Sequence, residues 1–428
     1  MTAMTAGTFA TWLAMVALAV LAAAGGAQPV VGDLVFGKID TTGPGPGLYW
    51  VDAAGRLGTI LRTDGGRFPN AVAMADDNRA LVVAMSGSPD RLLQVAVDGS
   101  VTTLVGVLPD GSPNGLARDQ DGSWLVSASL VNAVFRVDPG TQGLTTVYAH
   151  GPESRGIVNA VAVEGTTQNY LVGIYGSTLS STTASVLRVD RSGAVAATLA
   201  TGASWEEISS VGWDWDVGRV TTTKFTAPEF VRVGPGGAVA TVAAVAGANA
   251  HVLAGDRSFW VGGDGLVRRI DAQSGGTVQT HVLPGFLPTA VEIYGHRPLR
   301  TTGSAASGQT LTFHLNSARP ADAGKRFVLA FSMVSVPGVP LPDGRMVRMG
   351  VDTFVIANAG GVLSPLWNGG TNFGVLDAGG AATARLTIPA GFSTSAKFRF
   401  YAVFVTLDPA GPSGIGTVSN VVPFTTNL

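Results

Sequence analysis

The chain contains no cysteine. That excludes disulfides, thiolate metal sites, a thiol nucleophile and a lipid-modified cysteine anchor. Charge is also scarce: Asp, Glu, Lys and Arg make up 13% of 428 residues, against 58 glycines. Long surface helices need charged outer faces, so this composition argues against a helical protein. It fits many short strands joined by Gly-rich turns. The net charge is −2 and no basic run occurs, so nucleic acid is not an expected partner. Neither a G-x-S-x-G elbow nor an H-E-x-x-H motif is present, and the five histidines are scattered without ligand spacing.

One long hydrophobic run stands at the start. Phe9 to Ala24 is nearly all apolar, and Gly25, Gly26 and Ala27 follow before Gln28-Pro29. This reads as a signal peptide over 1–27, cleaved after Ala27. No Lys or Arg precedes the run, so the alternative is an uncleaved anchor. No later stretch is long and apolar enough to span a bilayer, so no stable span is expected after cleavage. The implied location is the periplasm, cell envelope or exterior.

The rest of the chain is dominated by a repeat. A small or proline residue, a polar residue and an apolar strand recur, as in Pro69-Asn70-Ala71-Val72-Ala73 and Pro113-Asn114-Gly115-Leu116-Ala117. Further copies are Val158-Asn159-Ala160-Val161, Ser209-Ser210-Val211, Asn249-Ala250-His251-Val252 and Pro288-Thr289-Ala290-Val291. The polar positions are spaced by 44, 45, 50, 40 and 40 residues. Four-stranded propeller blades have a period of about 40–45 residues.

A second signature keeps the same rhythm: an apolar residue, usually Asp, then a Gly-containing turn. It occurs at Val51-Asp52, Val97-Asp98-Gly99, Val137-Asp138, Val189-Asp190, Val233-Gly234 and Ile270-Asp271. Such residues favour hairpin turns. The expectation is an all-β chain, with a six-bladed β-propeller over 31–295. The spare copy of the first signature, 288–295, should supply the innermost strand of the blade begun by residues 33–63.

The segment Pro113–Ala117, followed by Asp119-Gln120-Asp121-Gly122, resembles the NHL-repeat and gluconolactonase/strictosidine-synthase-like propellers. The resemblance implies the fold. Gluconolactonase-like enzymes hold a divalent metal such as calcium in the channel on Asn and carboxylate ligands. On that resemblance Asn114 and Asn159 are the metal candidates, with Glu206 and Glu207 as the nearest carboxylates. This chain departs from the pattern because no ring position carries Asp or Glu.

Beyond residue 295 the rhythm stops. Residues 296–308 read as a linker, and 309–428 as a β-sandwich-like domain with strands near 310–315, 326–334, 382–388 and 397–407. Val339–Arg345, Val375–Ala384 and Val405–Asn420 resemble a module at the C-termini of uncharacterised exported bacterial proteins.

The polar residues of the first signature should face the central channel as a ring: Asn70, Asn114, Asn159, Ser209, Asn249 and Thr289. All are neutral. The ring is a candidate ligand site; the competing reading is that its side chains satisfy backbone and channel water. His251 reads as a structural histidine near the channel. Trp205, Trp213, Trp215 and Trp260 read as packing between blades, with stacking on sugars or peptides as the alternative. The Asp-rich segments around 76, 119 and 214 read as turns rather than calcium loops.

The leading functional expectation is an exported non-catalytic propeller that binds a small molecule, glycan or protein. The alternatives are a metal-dependent lactonase-like hydrolase and a structural envelope protein.

Overall fold

The computed structural model describes residues 28–427 apart from short stretches, chiefly between strands, such as 30–32, 40–44, 76–79, 120–122, 177–182, 203–206, 215–218, 294–298, 335–338 and 392–396. The expected signal segment 1–27 lies outside the described residues. Among the described residues no helix is long and apolar enough to cross a membrane.

Six four-stranded antiparallel sheets run from residue 34 to residue 293. Their innermost strands are Phe68–Met74, Pro113–Arg118, Ile157–Val163, Ile208–Asp214, Ala250–Leu253 and Pro288–Ile293. Each touches the next, and Pro288–Ile293 touches Phe68–Met74, so the array closes into a ring. The last inner strand pairs with Leu34–Lys38 and completes the first blade, which otherwise comes from the start of the ring. The final strand thus staples the circle and covers an edge that would be left open. Blade one is the sheet closed in this way, and blades two to six follow in chain order.

Residue choice follows position in the blade. Inner strands crowd toward the axis and carry small buried residues such as Ala71, Ala73, Ala160, Ala250 and Ala290. Second strands are covered on both faces: Trp124–Ala128 is buried at every position. They accordingly read as continuous apolar runs and do not alternate. Inter-blade cores hold the large side chains, such as Phe36, Tyr49 and Phe286 between blades six and one.

The second signature acts as expected at the turns. Asp52 Oδ1 accepts from the N–H groups of Ala54 and Arg56 at 2.9 and 2.8 Å. Asp98, Asp138, Asp190 and Asp271 make equivalent bonds to the backbone two residues on. A short carboxylate replaces a backbone partner, which is why Asp recurs between the third and fourth strands.

The C-terminal region is a separate set of strands. A three-stranded sheet contains Leu299–Gly303, Thr310–Asn316 and Ala381–Thr387. A five-stranded sheet is built on Arg326–Ser332 and the long strand Lys397–Leu407. Their shared core includes Phe313, Phe331, Trp367, Phe400 and Phe424. Two features depart from the sequence expectation. The segment 296–308, read as a linker, contains the strand Leu299–Gly303, because Leu299 is buried and its backbone pairs with Thr310–Asn316. A short helix, Thr353–Ala359, was not expected. Its Asn358 is buried, donating to Leu329 O at 3.0 Å and accepting from Trp367 Nε1 at 3.1 Å.

Candidate functional site

The ring residues share an unusual backbone position. In blade two, Pro69 pairs with Met85 and Ala71 with Ala84, which leaves Asn70 unpaired as a β-bulge. Asn114, Asn159 and Ser209 are skipped in the same way in blades three, four and five. On the closing strand Thr289 is skipped between Pro288 and Ala290. Asn249 lies just before its strand, its N–H donating to Gly262 O at 2.9 Å. An extra residue in one strand turns its side chain off the alternating pattern. Here it turns a polar side chain toward the axis while the flanking residues remain in the inter-blade cores.

The consequence is convergence. All six predicted ring residues line one cavity of about 420 Å³. Ile39, Phe68, Ser86 and Ser112 complete its wall. Among the described residues no charged side chain lines it. Each ring side chain is half-buried.

The ring residues also bond to one another. Asn70 Nδ2 donates to Asn114 Oδ1 at 3.0 Å, and Asn114 Nδ2 to Asn159 Oδ1 at 2.8 Å. Asn159 Nδ2 donates to Ile208 O at 2.8 Å. Asn249 Nδ2 reaches Pro288 O at 3.4 Å, and Thr289 Oγ1 donates to Pro69 O at 3.0 Å. The expected competition between ligand binding and backbone satisfaction is therefore not exclusive. Asn70, Asn249 and Thr289 each spend one group on the next blade, whereas Asn114 and Asn159 engage both amide nitrogen and oxygen.

A loop clamp positions the wall. Asp90 is buried, and its carboxylate accepts from the N–H groups of Gly87, Gly111 and Ser112 at 2.8, 2.9 and 2.9 Å. It holds Ser112, which has φ 52°, against the cavity. In blade three Asn132 occupies the same place, just before the third strand. It donates to Gly156 O and accepts from Val158 N, both at 2.7 Å. Sequence reading missed both; their recurrence just before a third strand was the available signal.

The lactonase candidates are described only in part. Glu206 lies outside the described residues, and Glu207 is not among the cavity-lining residues. Among the described residues no group of three or more His, Asp or Glu side chains is placed to hold a metal ion. Asn114 and Asn159 do face the cavity together.

His251 stands behind the ring, between blades five and six. Ser210 Oγ lies 2.6 Å from its Nδ1 and Thr221 Oγ1 2.9 Å from its Nε2. The rings of Phe230 and Phe259 flank it. Burial lowers its pKa to about 3, so the imidazole is neutral. Both nitrogens are used, in accord with a structural histidine. Trp260 is buried and stacks on His281 at 5.4 Å, while Trp213 packs partly buried between blades. Trp205 and Trp215 lie outside the described residues.

The ends of the inner strands away from the ring carry ion pairs. Glu164 accepts from Arg188 in bidentate fashion, and Asp214 from Arg232 at 2.8 Å. Asp119 is bound by Arg191 of the next blade, whose guanidinium also lies over Tyr170. The Asp-rich segments around 119 and 214 thus place a carboxylate opposite an arginine. The segment around 76 lies outside the described residues.

No family model matches the chain, and no curated protein matches it in sequence. Solved structures do resemble it. A nidogen–laminin complex superposes with a TM-score of 0.51 at 11% identity, covering 60% of this chain and 97% of that one. The fold is a six-bladed β-propeller. Regucalcin, a calcium-binding protein of Agrobacterium tumefaciens, gives 0.44 at 14% identity over 78% and 99% of the two chains. A candidate gluconolactonase gives 0.44 at 12% identity over 59% and 86%. At these identities the likeness concerns the fold of the propeller and carries no activity.

Proposed function

We propose that this chain is an exported, non-catalytic propeller that binds an uncharged polar ligand in the ring cavity. The observation that carries the reading is convergence: six side chains far apart in sequence, all neutral and polar, wall one cavity of about 420 Å³. Small-molecule sites occupy roughly 300–1,000 Å³ and present a few polar groups for orientation. An ion would lose its hydration with no opposite charge among the described wall residues to replace it. Export rests on the apolar segment Phe9–Ala24. The C-terminal strands serve in this reading as a spacer or attachment module.

A thermal-shift screen tests the reading, using neutral sugars, amides, small anions and divalent metals. A ligand of the folded state raises the melting temperature. The expected hit is an uncharged compound whose effect disappears in Ser209→Trp, which fills the cavity. Shifts that persist in that variant, or shifts with ions alone, would overturn it.

A further inference from the structure

The direction of the amide relay is decided at one backbone oxygen. Ile208 O can only accept, so Asn159 must turn Nδ2 toward it. Asn159 Oδ1 then faces Asn114, which must answer with Nδ2. Asn114 Nδ2 also donates to Ser129 Oγ at 3.1 Å, so both of its hydrogens are used. Its Oδ1 in turn faces Asn70, which must also donate. The relay therefore ends in an amide oxygen, Asn70 Oδ1, which has no donor among the described residues. Asn249 follows the same rule: Pro288 O takes its Nδ2, and its Oδ1 is left to the cavity.

The two sides of the ring differ as a result. On the side of Asn114 and Asn159 the amides are mostly engaged with each other. On the other side the relay is open, because no hydrogen bond joins Ser209 to Asn249 among the described residues. The open arc runs Asn70, Thr289, Asn249, Ser209 across blades two, one, six and five.

We infer that the ligand docks on this open arc and is a polyhydroxyl compound, an inference that rests on the cavity being a ligand site. The oxygens of Asn70 and Asn249 and the lone pairs of Thr289 call for donors. The Ser209 hydroxyl and the remaining hydrogen on each of the Asn70 and Asn249 amides call for acceptors. A hydroxyl group is both, and it is uncharged. Ile39 and Phe68 supply an apolar wall on which the carbon skeleton of a small ring rests.

The experiment is amide-resolved NMR on the full chain, titrated with myo-inositol and with maltose. Their fully O-methylated derivatives, which keep the acceptors and lose the donors, form the second arm. The expected result is shifts centred on Asn70, Ser209, Asn249 and Thr289, with the methylated forms at least tenfold weaker. Asn249→Leu and the milder Asn249→Ser should each weaken binding fivefold or more. Equal binding of the methylated forms, shifts centred on Asn114 and Asn159, or no response to either polyol would overturn the inference. The cavity reading fails separately: it falls only if the broader screen yields no hit that Ser209→Trp abolishes.

Discussion

Asn114 and Asn159 join blades three and four by an amide–amide hydrogen bond of 2.8 Å, and Asn114 is the only ring residue bonded to ring side chains on both sides among the described residues. Replacing it with Ala removes two such bonds and a third to Ser129. Hydrogen bonds contribute about 1 kcal/mol each, and an orphaned partner costs about 1–3 kcal/mol. Asn114→Ala should therefore destabilise the propeller by about 2 kcal/mol in urea unfolding. Asn114→Ser, which retains a donor and acceptor, should lose less.

Asp90 should be a more severe position. Its buried carboxylate satisfies three backbone N–H groups, two of them in the loop that carries Ser112. Asp90→Ala leaves all three without an acceptor, a loss of about 3 kcal/mol or more. Denaturant melts measure the loss, and hydrogen exchange at Gly111 and Ser112 should rise with it.

The His251 imidazole makes the propeller sensitive to acid. Its folded pKa lies near 3, below the ordinary value of 6.5, because burial penalises the charged form. A group with a depressed folded pKa contributes stability above its unfolded pKa. As pH falls from about 6.5 toward 3 the unfolded chain takes up a proton that the folded one does not. Stability should drop by up to about 1.4 kcal/mol per pH unit in that window from this group. His251→Gln should show a shallower fall between pH 6.5 and 4 than the parent, read as melting temperature against pH.

In the C-terminal strands Lys325 bridges two carboxylates, 2.9 Å from Asp322 and 2.8 Å from Asp408. Asp322 is fully buried and also accepts from Thr417 Oγ1 at 2.5 Å. The hydrogen bond to Asp408, then that to Asp322, raises the lysine pKa. This stabilisation is present below the ordinary lysine pKa and is lost as pH rises through the raised value. Lys325→Met strands a buried carboxylate and should cost about 3 kcal/mol in chemical unfolding. Asp322→Asn combined with Lys325→Met should recover part of it.

Gly115 tests how closely the blades approach. A Cβ there would lie 2.6 Å from Ser127 Oγ and 2.8 Å from the backbone nitrogen of Val161 in the next blade. Gly115→Ala should lower the melting temperature by several degrees, whereas Gly66→Ala, with open space around it, should not.

The blade count, the closing strand and the ring positions were legible in the sequence because a repeat stamps the same local chemistry into each copy. Asp or Gly is needed at every outer turn, and a polar residue at the start of every inner strand. The sequence alone also determined that the ring is neutral, since residue identity sets charge. Other features waited for the tertiary structure. The bulges at Asn70, Asn114, Asn159, Ser209 and Thr289 depend on register against a second strand, which no local signal encodes. The strand Leu299–Gly303 was hidden in polar, turn-like sequence, because its pairing with Thr310–Asn316 outweighs weak local preference. The pairing of Arg191 with Asp119 spans two blades. The direction of the amide relay is set by Ile208 O, a backbone group identical in every residue type. Which arc of the ring stays open is therefore a property of the closed circle, decided by contacts between blades and not by any one of them.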